Sequence, residues 1–176
     1  MAPILTENTF DVITHNARQT WAIGRRLGQL LRPGDVVCLE GELGSGKTCL
    51  TQGIGAGLRV KGTVRSPTFV LVNEHPSADD GPPLYHVDLY RINEEGEAAA
   101  LGLEDYLYGR GVTVIEWAER AAGLIPAERL WIRLTYLDDA KRSLHFEPRG
   151  EHYRHIVQTL QDELAGRKAS SQPSKE

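Results

Sequence analysis

Gly41-Glu42-Leu43-Gly44-Ser45-Gly46-Lys47-Thr48 is the stretch on which the fold turns. It satisfies the pattern GxxxxGK[ST] at every fixed position. Immediately before it, Val36-Val37-Cys38-Leu39 is a continuous apolar run of the kind that sheets bury on both faces. Immediately after it, Leu50, Ile54 and Leu58 recur every fourth residue. That spacing predicts a helix, although Gly53, Gly55 and Gly57 weaken it. Strand, glycine-rich turn and helix are the context that a phosphate-cradling loop requires. Glycines let successive N–H groups point inward at phosphate oxygens, and the helix start adds the positive end of its dipole. The Lys47 ammonium is expected at the β- and γ-phosphates and the Thr48 hydroxyl at Mg²⁺. The bland alternative is a glycine-rich turn with no ligand.

Further out, Asn16 is placed to cap a helix with Gln19 three residues on. Trp21, Ile23, Leu27, Leu30 and Leu31 continue it as a stripe, and Pro33-Gly34 ends it. Phe69–Val72 and Val112–Ile115 are predicted strands, and Leu84–Tyr90 alternates as a third. Residues 93–108 are acidic and alanine-rich, which predicts one or two short helices. Leu130–Leu137 and Ser143–Glu147 are expected to pair as an antiparallel hairpin around Asp138-Asp139. Ile156, Val157, Leu160 and Leu164 mark a closing helix. The fold class predicted is α/β: a three-layer P-loop NTPase-like fold with a mixed, mainly parallel sheet and a late antiparallel hairpin. Residues 1–165 are expected to form one domain. Residues 166–176, rich in Ser, Gln and Lys, are expected to be a disordered tail.

Composition narrows the function. The chain has 176 residues, 40% hydrophobic and 25% charged, which is ordinary for a soluble globular protein. Its net charge of −4, with a basic tail, leaves the body acidic. Such a body is a poor stand-alone nucleic-acid binder, because phosphates need excess Lys and Arg. No apolar run approaches a membrane span, and the first residues lack the features of a signal peptide. Two cysteines, Cys38 and Cys49, form no CxxC pair, so a reducing cytoplasm is the expected location. The six histidines show no HExxH spacing.

A P-loop protein also needs a carboxylate for the metal or the attacking water. Glu116 ends the run Val112–Ile115, where such an acid belongs. Asp88 lies on the polar face of its strand with His86 and Tyr90. Each has a plainer explanation: Glu116 as a solvated strand end paired with Arg120, Asp88 as a surface partner of Arg91. Thr68, in Ser66-Pro67-Thr68, sits where P-loop switches sense a γ-phosphate. Trp117 could stack on a base or a partner, though residue type alone favours the core. No Asn is followed by Lys in an NKxD segment, which favours ATP over GTP only by absence.

Taken together, the P-loop, Ser66-Pro67-Thr68-Phe69, His86-Val87-Asp88-Leu89-Tyr90-Arg91, Gly102-Leu103-Glu104 and Ile115-Glu116-Trp117 follow the order of the TsaE (YjeE) family. The resemblance runs from about Thr14 to Trp117 and more loosely to about Leu164. It implies a small Mg²⁺-dependent ATPase of tRNA threonylcarbamoyladenosine modification. Its partners would be TsaD- and TsaB-like proteins, with tRNA engaged indirectly and the free chain monomeric. TsaD would transfer the group to the adenosine beside the anticodon, while this chain would use ATP to permit repeated turnover. By position, Lys47, Asp88 and Glu116 become the catalytic residues. Glu42, Leu43, Gly44, Ser45, Gly46, Lys47, Thr48 and Cys49 become the nucleotide cradle, and Thr48, Glu116 and Asp88 the metal residues. Thr68 and Trp117 become candidates for switching or partner coupling. Ser45 stands where Ala is commoner, on a loop expected to be exposed, and Cys49 where Thr is common.

Two rivals remain from the residues alone. A small-molecule P-loop kinase would share the loop and could use Asp88 on an acceptor hydroxyl, but no arginine-rich lid is evident. A non-hydrolysing nucleotide-dependent regulator would need only the loop and the switch. Arg65 and Arg91 are the available internal arginines, and the base is expected near Asn16 or the strand around Arg133.

Overall fold

The computed structural model describes residues 9–66 and 71–166. Its centre is the predicted apolar run, now strand β2 (Val36–Glu40), whose first four residues are all buried. Val37 and Leu39 face one core, Val36 and Cys38 the other. The remaining strands are β1 (Phe10–Thr14), β3 (Val72–His75), β4 (Leu84–Asp88), β5 (Val112–Glu116), β6 (Arg129–Tyr136) and β7 (Arg142–Arg149). They form one sheet in the order β1-β7-β6-β2-β5-β4-β3. The four central strands are parallel, and antiparallel strands close both edges. Five of the seven therefore run in one direction, and β6–β7 is the expected hairpin.

Helices α1 (Ala17–Leu30), α2 (Lys47–Leu58) and α5 (Glu151–Leu164) cover one face. The short helices α3 (Glu95–Ala100) and α4 (Leu103–Leu107) and a 3₁₀ segment (Ala118–Leu124) cover part of the other. No helix among the described residues is long and apolar enough to cross a membrane. The chain leaves β2 toward β4 and returns through β5 to β6 on β2's other side. Such a reversal opens a crevice beyond the carboxyl ends of the strands, where ligands of open α/β sheets bind.

The strand expected at Phe69–Val72 is β3, which starts at Val72 and runs on to His75; residues 67–70, Thr68 among them, lie outside the described residues. Strand β1 was not expected at all. It is an edge strand, with Phe10 and Val12 packed on the core and Ile13 about half exposed. At α1, Asn16 accepts from the Gln19 N–H at 2.9 Å, as a cap should. The Gln19 side chain reciprocates one residue earlier than a capping box predicts, accepting from His15 N–H at 2.7 Å.

The glycines that weaken α2 in sequence have a packing reason. Gly24 and Gly28 of α1 face Gly53 and Gly57 of α2. A methyl at Gly53 would lie 2.1 Å from the Trp21 carbonyl oxygen, and one at Gly57 2.1 Å from that of Arg25. The two backbones meet directly, as at small-residue helix interfaces. Gly53→Ala gains about 1 kcal/mol in helix propensity, but it overpacks backbone against backbone, which costs about 1–3 kcal/mol or more. Net destabilisation is expected in urea unfolding. Gly96→Ala, which meets nothing within 4 Å, is the control and should stabilise by about 0.4–1 kcal/mol. A neutral Gly53→Ala would mean that the helices are free to separate.

Candidate functional site

The carboxyl ends of β2, β4 and β5 converge beside the loop Gly41–Gly46. In register, Glu116 pairs with Leu39 on one side and Asp88 on the other, so two acids stand on adjacent strand ends. The loop turns back on itself through Gly44 and Gly46, whose φ of 79° and 102° favour glycine. Gly41 packs so closely that a Cβ would lie 2.5 Å from the Leu134 carbonyl oxygen. Arg142 of the β6–β7 hairpin donates from Nε to the Gly44 carbonyl at 3.1 Å and stacks over Tyr136 at 4.5 Å.

Lys47 opens α2 and curls under the loop. Its Nζ donates to the carbonyls of Gly41 and Glu42 (2.9 Å for the latter) and to Ser45 Oγ at 3.3 Å. The Trp117 ring centroid lies 4.3 Å away. Burial lowers the Lys47 pKa, while Glu116, Glu119 and Asp88 pull it back up. Thr48, one residue on, donates from Oγ1 to Glu116 Oε1 at 2.9 Å and lies 2.8 Å from Ser66 Oγ. Glu116 is only 2% exposed. Its second oxygen lies 2.8 Å from His86 Nε2 and accepts from Ser66 Oγ at 3.4 Å. Asp88 accepts from the Tyr90 N–H at 2.9 Å, which turns the chain out of β4. Burial raises the Asp88 pKa and the neighbouring Glu116 charge adds to it; Tyr90 N–H, His86 and Lys47 oppose. The cleft that these residues line encloses about 390 Å³.

Residues 14–144 match the family model for TsaE, the threonylcarbamoyl adenosine biosynthesis protein. The tRNA threonylcarbamoyladenosine biosynthesis protein TsaE of Bacillus subtilis is 40% identical over 148 residues, which cover 84% of this chain and 90% of that one. Its namesake in Streptomyces coelicolor is 50% identical over 115 residues, covering 64% of this chain and 76% of the relative. The crystal structure of YdiB from Bacillus subtilis superposes with a TM-score of 0.74 at 34% identity, covering 89% of this chain and 96% of that one. The chain belongs to the TsaE family.

That membership ties the protein to tRNA threonylcarbamoyladenosine biosynthesis and agrees with the P-loop NTPase-like architecture. The structure brings together Leu43, Gly44, Gly46, Lys47, Thr48, Cys49, Asp88, Glu116 and Trp117 around this one cleft. Glu42 lines the larger neighbouring cleft of about 660 Å³, with Glu119 and Arg133. Ser45 is fully buried rather than exposed, because its hydroxyl accepts from Lys47. Glu116 is buried rather than solvated, and it meets Thr48 and His86. Arg120 instead stacks on Trp117 at 4.8 Å and donates to the carbonyls of Tyr90 and Ile92. Trp117 packs against the edge of the second core and also lines the cleft. It is half-buried in the cleft wall with a left-handed backbone (φ 59°), held between Lys47 and Arg120. Arg65 and Arg91 are exposed, and neither lines the cleft. A hollow of about 150 Å³ beside Ala17 flanks the loop near Asn16, as the larger cleft does near Arg133.

Reasoning from sequence missed His86, Ser66 and Arg142 as site residues. His86 was legible, since it shares Asp88's strand face two residues away. Arg142 was not, because only folding brings the hairpin to the loop. Thr48, Ser66, Glu116 and Asp88 offer oxygen atoms alone, which suits a hard cation such as Mg²⁺. Among the described residues no cluster of three His, Cys, Asp or Glu could hold a metal by itself.

Asp88→Asn keeps an acceptor for the Tyr90 N–H while removing a half-buried charge beside Glu116. Because burial raises the folded-state pKa of Asp88, its ionised form weighs against folding at neutral pH, and that cost fades as pH falls through its titration. In thermal scans without nucleotide or metal, the variant is expected to melt above the parent at neutral pH. The gain should shrink toward about pH 4, near the ordinary carboxylate range. Equal melting at both values would show that Asp88 is not raised by burial.

Proposed function

We propose that this chain is a Mg²⁺-dependent ATPase. It would act with a TsaD–TsaB-type complex in threonylcarbamoyladenosine modification of the adenosine beside the anticodon. The observation that carries this reading is the convergence of Lys47, Thr48, Asp88 and Glu116 in one cleft at the start of α2. The triphosphate lies along the N–H groups of 42–48, and Lys47 exchanges its loop carbonyls for phosphate oxygens. Thr48, with Asp88 and Glu116, would hold Mg²⁺, whose chemistry is to neutralise charge on the phosphate oxygens. Asp88 and Glu116 orient the attacking water. Phosphoryl transfer asks for positioning and charge stabilisation more than covalent chemistry, and these residues provide both.

No arginine lines the cleft beside Lys47 among the described residues. The complete constellation therefore depends on a partner, and hydrolysis by the chain alone is slow. Energy from ATP resets the modifying complex so that it turns over repeatedly; the group transfer itself belongs to the partner. The free chain is monomeric and cytoplasmic, and it meets tRNA only through its partners.

Phosphate release should be slow for the purified chain and rise when a matched TsaD–TsaB pair is added. A supplied cationic group can be worth about 10³–10⁵ in rate, so stimulation of even a small part of that is measurable. Glu116→Ala should abolish the stimulated rate while sparing nucleotide binding, and Lys47→Ala should lose binding itself. Absence of stimulation, together with ATP-dependent phosphorylation of a small acceptor, would replace this reading with a kinase.

A further inference from the structure

His86 stands two residues before Asp88 on the same face of its strand. His86 lies on β4 with no exposed surface. Its register partner on β5 is Val114, and Glu116 lies two residues further on the same face. The Nε2–Oε2 distance of 2.8 Å is therefore set by the sheet itself, not by a mobile loop. A carboxylate only accepts, so Nε2 carries the proton and donates. The other ring nitrogen, Nδ1, is buried and has no hydrogen-bond partner among the described residues. An apolar side chain would fill this site in the core without leaving a buried polar atom unpaired. Among the described residues the one side-chain hydrogen bond of His86 goes to Glu116, and it is what offsets that cost.

Removing it has a definite consequence. Among the described residues Glu116 Oε2 would keep only Ser66 Oγ at 3.4 Å, a weak donor for a buried carboxylate. The carboxylate would be free to turn. Its other oxygen is the acceptor for Thr48 Oγ1 at 2.9 Å, so the Thr48 hydroxyl would lose its orientation too.

We propose that His86 is a positioning residue for the Mg²⁺ site: it fixes the Glu116 carboxylate, and through it the Thr48 hydroxyl, without touching nucleotide or metal. The proposal rests on the Mg²⁺-nucleotide reading above. Donors that hold a metal ligand from behind are worth about 10–100-fold in metal affinity when removed.

The test measures binding of a fluorescent N-methylanthraniloyl-ADP to the full chain across a Mg²⁺ titration, for wild type, His86→Phe and His86→Gln. His86→Phe should bind the Mg²⁺-free nucleotide as wild type does, because the loop is untouched. Its Mg²⁺ midpoint should rise by about 10–100-fold. His86→Gln, which returns an N–H donor toward Glu116, should recover most of that loss. A folded His86→Phe with the wild-type Mg²⁺ midpoint would overturn the proposal, since a purely structural role would lower only its melting temperature. If His86→Phe does not fold, the wild-type chain still decides: long-range ¹H–¹⁵N spectra should show His86 protonated at Nε2. A bare Nε2 would overturn the proposal. A wild-type chain that binds nucleotide with no response to Mg²⁺ would instead overturn the underlying reading, and the proposal with it.

Discussion

A carboxylate with almost no exposed surface, that of Glu116, sets the terms for everything near it. A buried charge is tolerated only when donors surround it. Thr48, His86 and Ser66 supply them from three different parts of the chain: the first turn of α2, strand β4 and the segment after α2. Those three meet because β5 lies between β2 and β4 in parallel register. The order of strands is therefore also the arrangement of the site. The same register sets Asp88 beside Glu116, a like-charge pairing that a cation held between them would relieve.

The loop is held from both sides. Below it, α2 must lie close to α1 for its N-terminus to point into the cleft, and the facing glycines allow that approach. Above it, Arg142 and Leu134 of the β6–β7 hairpin meet the backbone at Gly44 and Gly41. Lys47 satisfies itself on loop carbonyls and lies against Trp117. Phosphate oxygens offer the same ammonium stronger, charge-assisted acceptors. The contacts that hold Lys47 in the free chain are of the kind a phosphate can displace.

Much of this was legible in the residues. The run at Val36–Leu39, the glycine spacing and the four-residue repeat of Leu50, Ile54 and Leu58 placed the loop between strand and helix. The end of Val112–Ile115 placed an acid, and the late hairpin announced a mixed sheet. What stayed hidden was long-range. Periodicity cannot show that β5 inserts next to β2, and so it left Glu116 as a possible surface acid. It read Gly53 and Gly57 as a local weakness because helix propensity is local, whereas their use is across an interface. Residue type favoured a core for Trp117; it does pack against one, but the left-handed turn after β5 also brings it to the cleft. Strand β1 escaped notice because five residues at a sheet edge, with one apolar side chain facing out, give a short and imperfect alternation.

The most direct test is a crystal structure of the chain with Mg²⁺ and a non-hydrolysable ATP analogue. The account predicts the triphosphate on the N–H groups of residues 42–48, Lys47 Nζ withdrawn from the Gly41 and Glu42 carbonyls onto phosphate, and the cation on the Thr48 hydroxyl. An analogue bound elsewhere, or a Lys47 still seated on the loop carbonyls beneath Trp117, would contradict it.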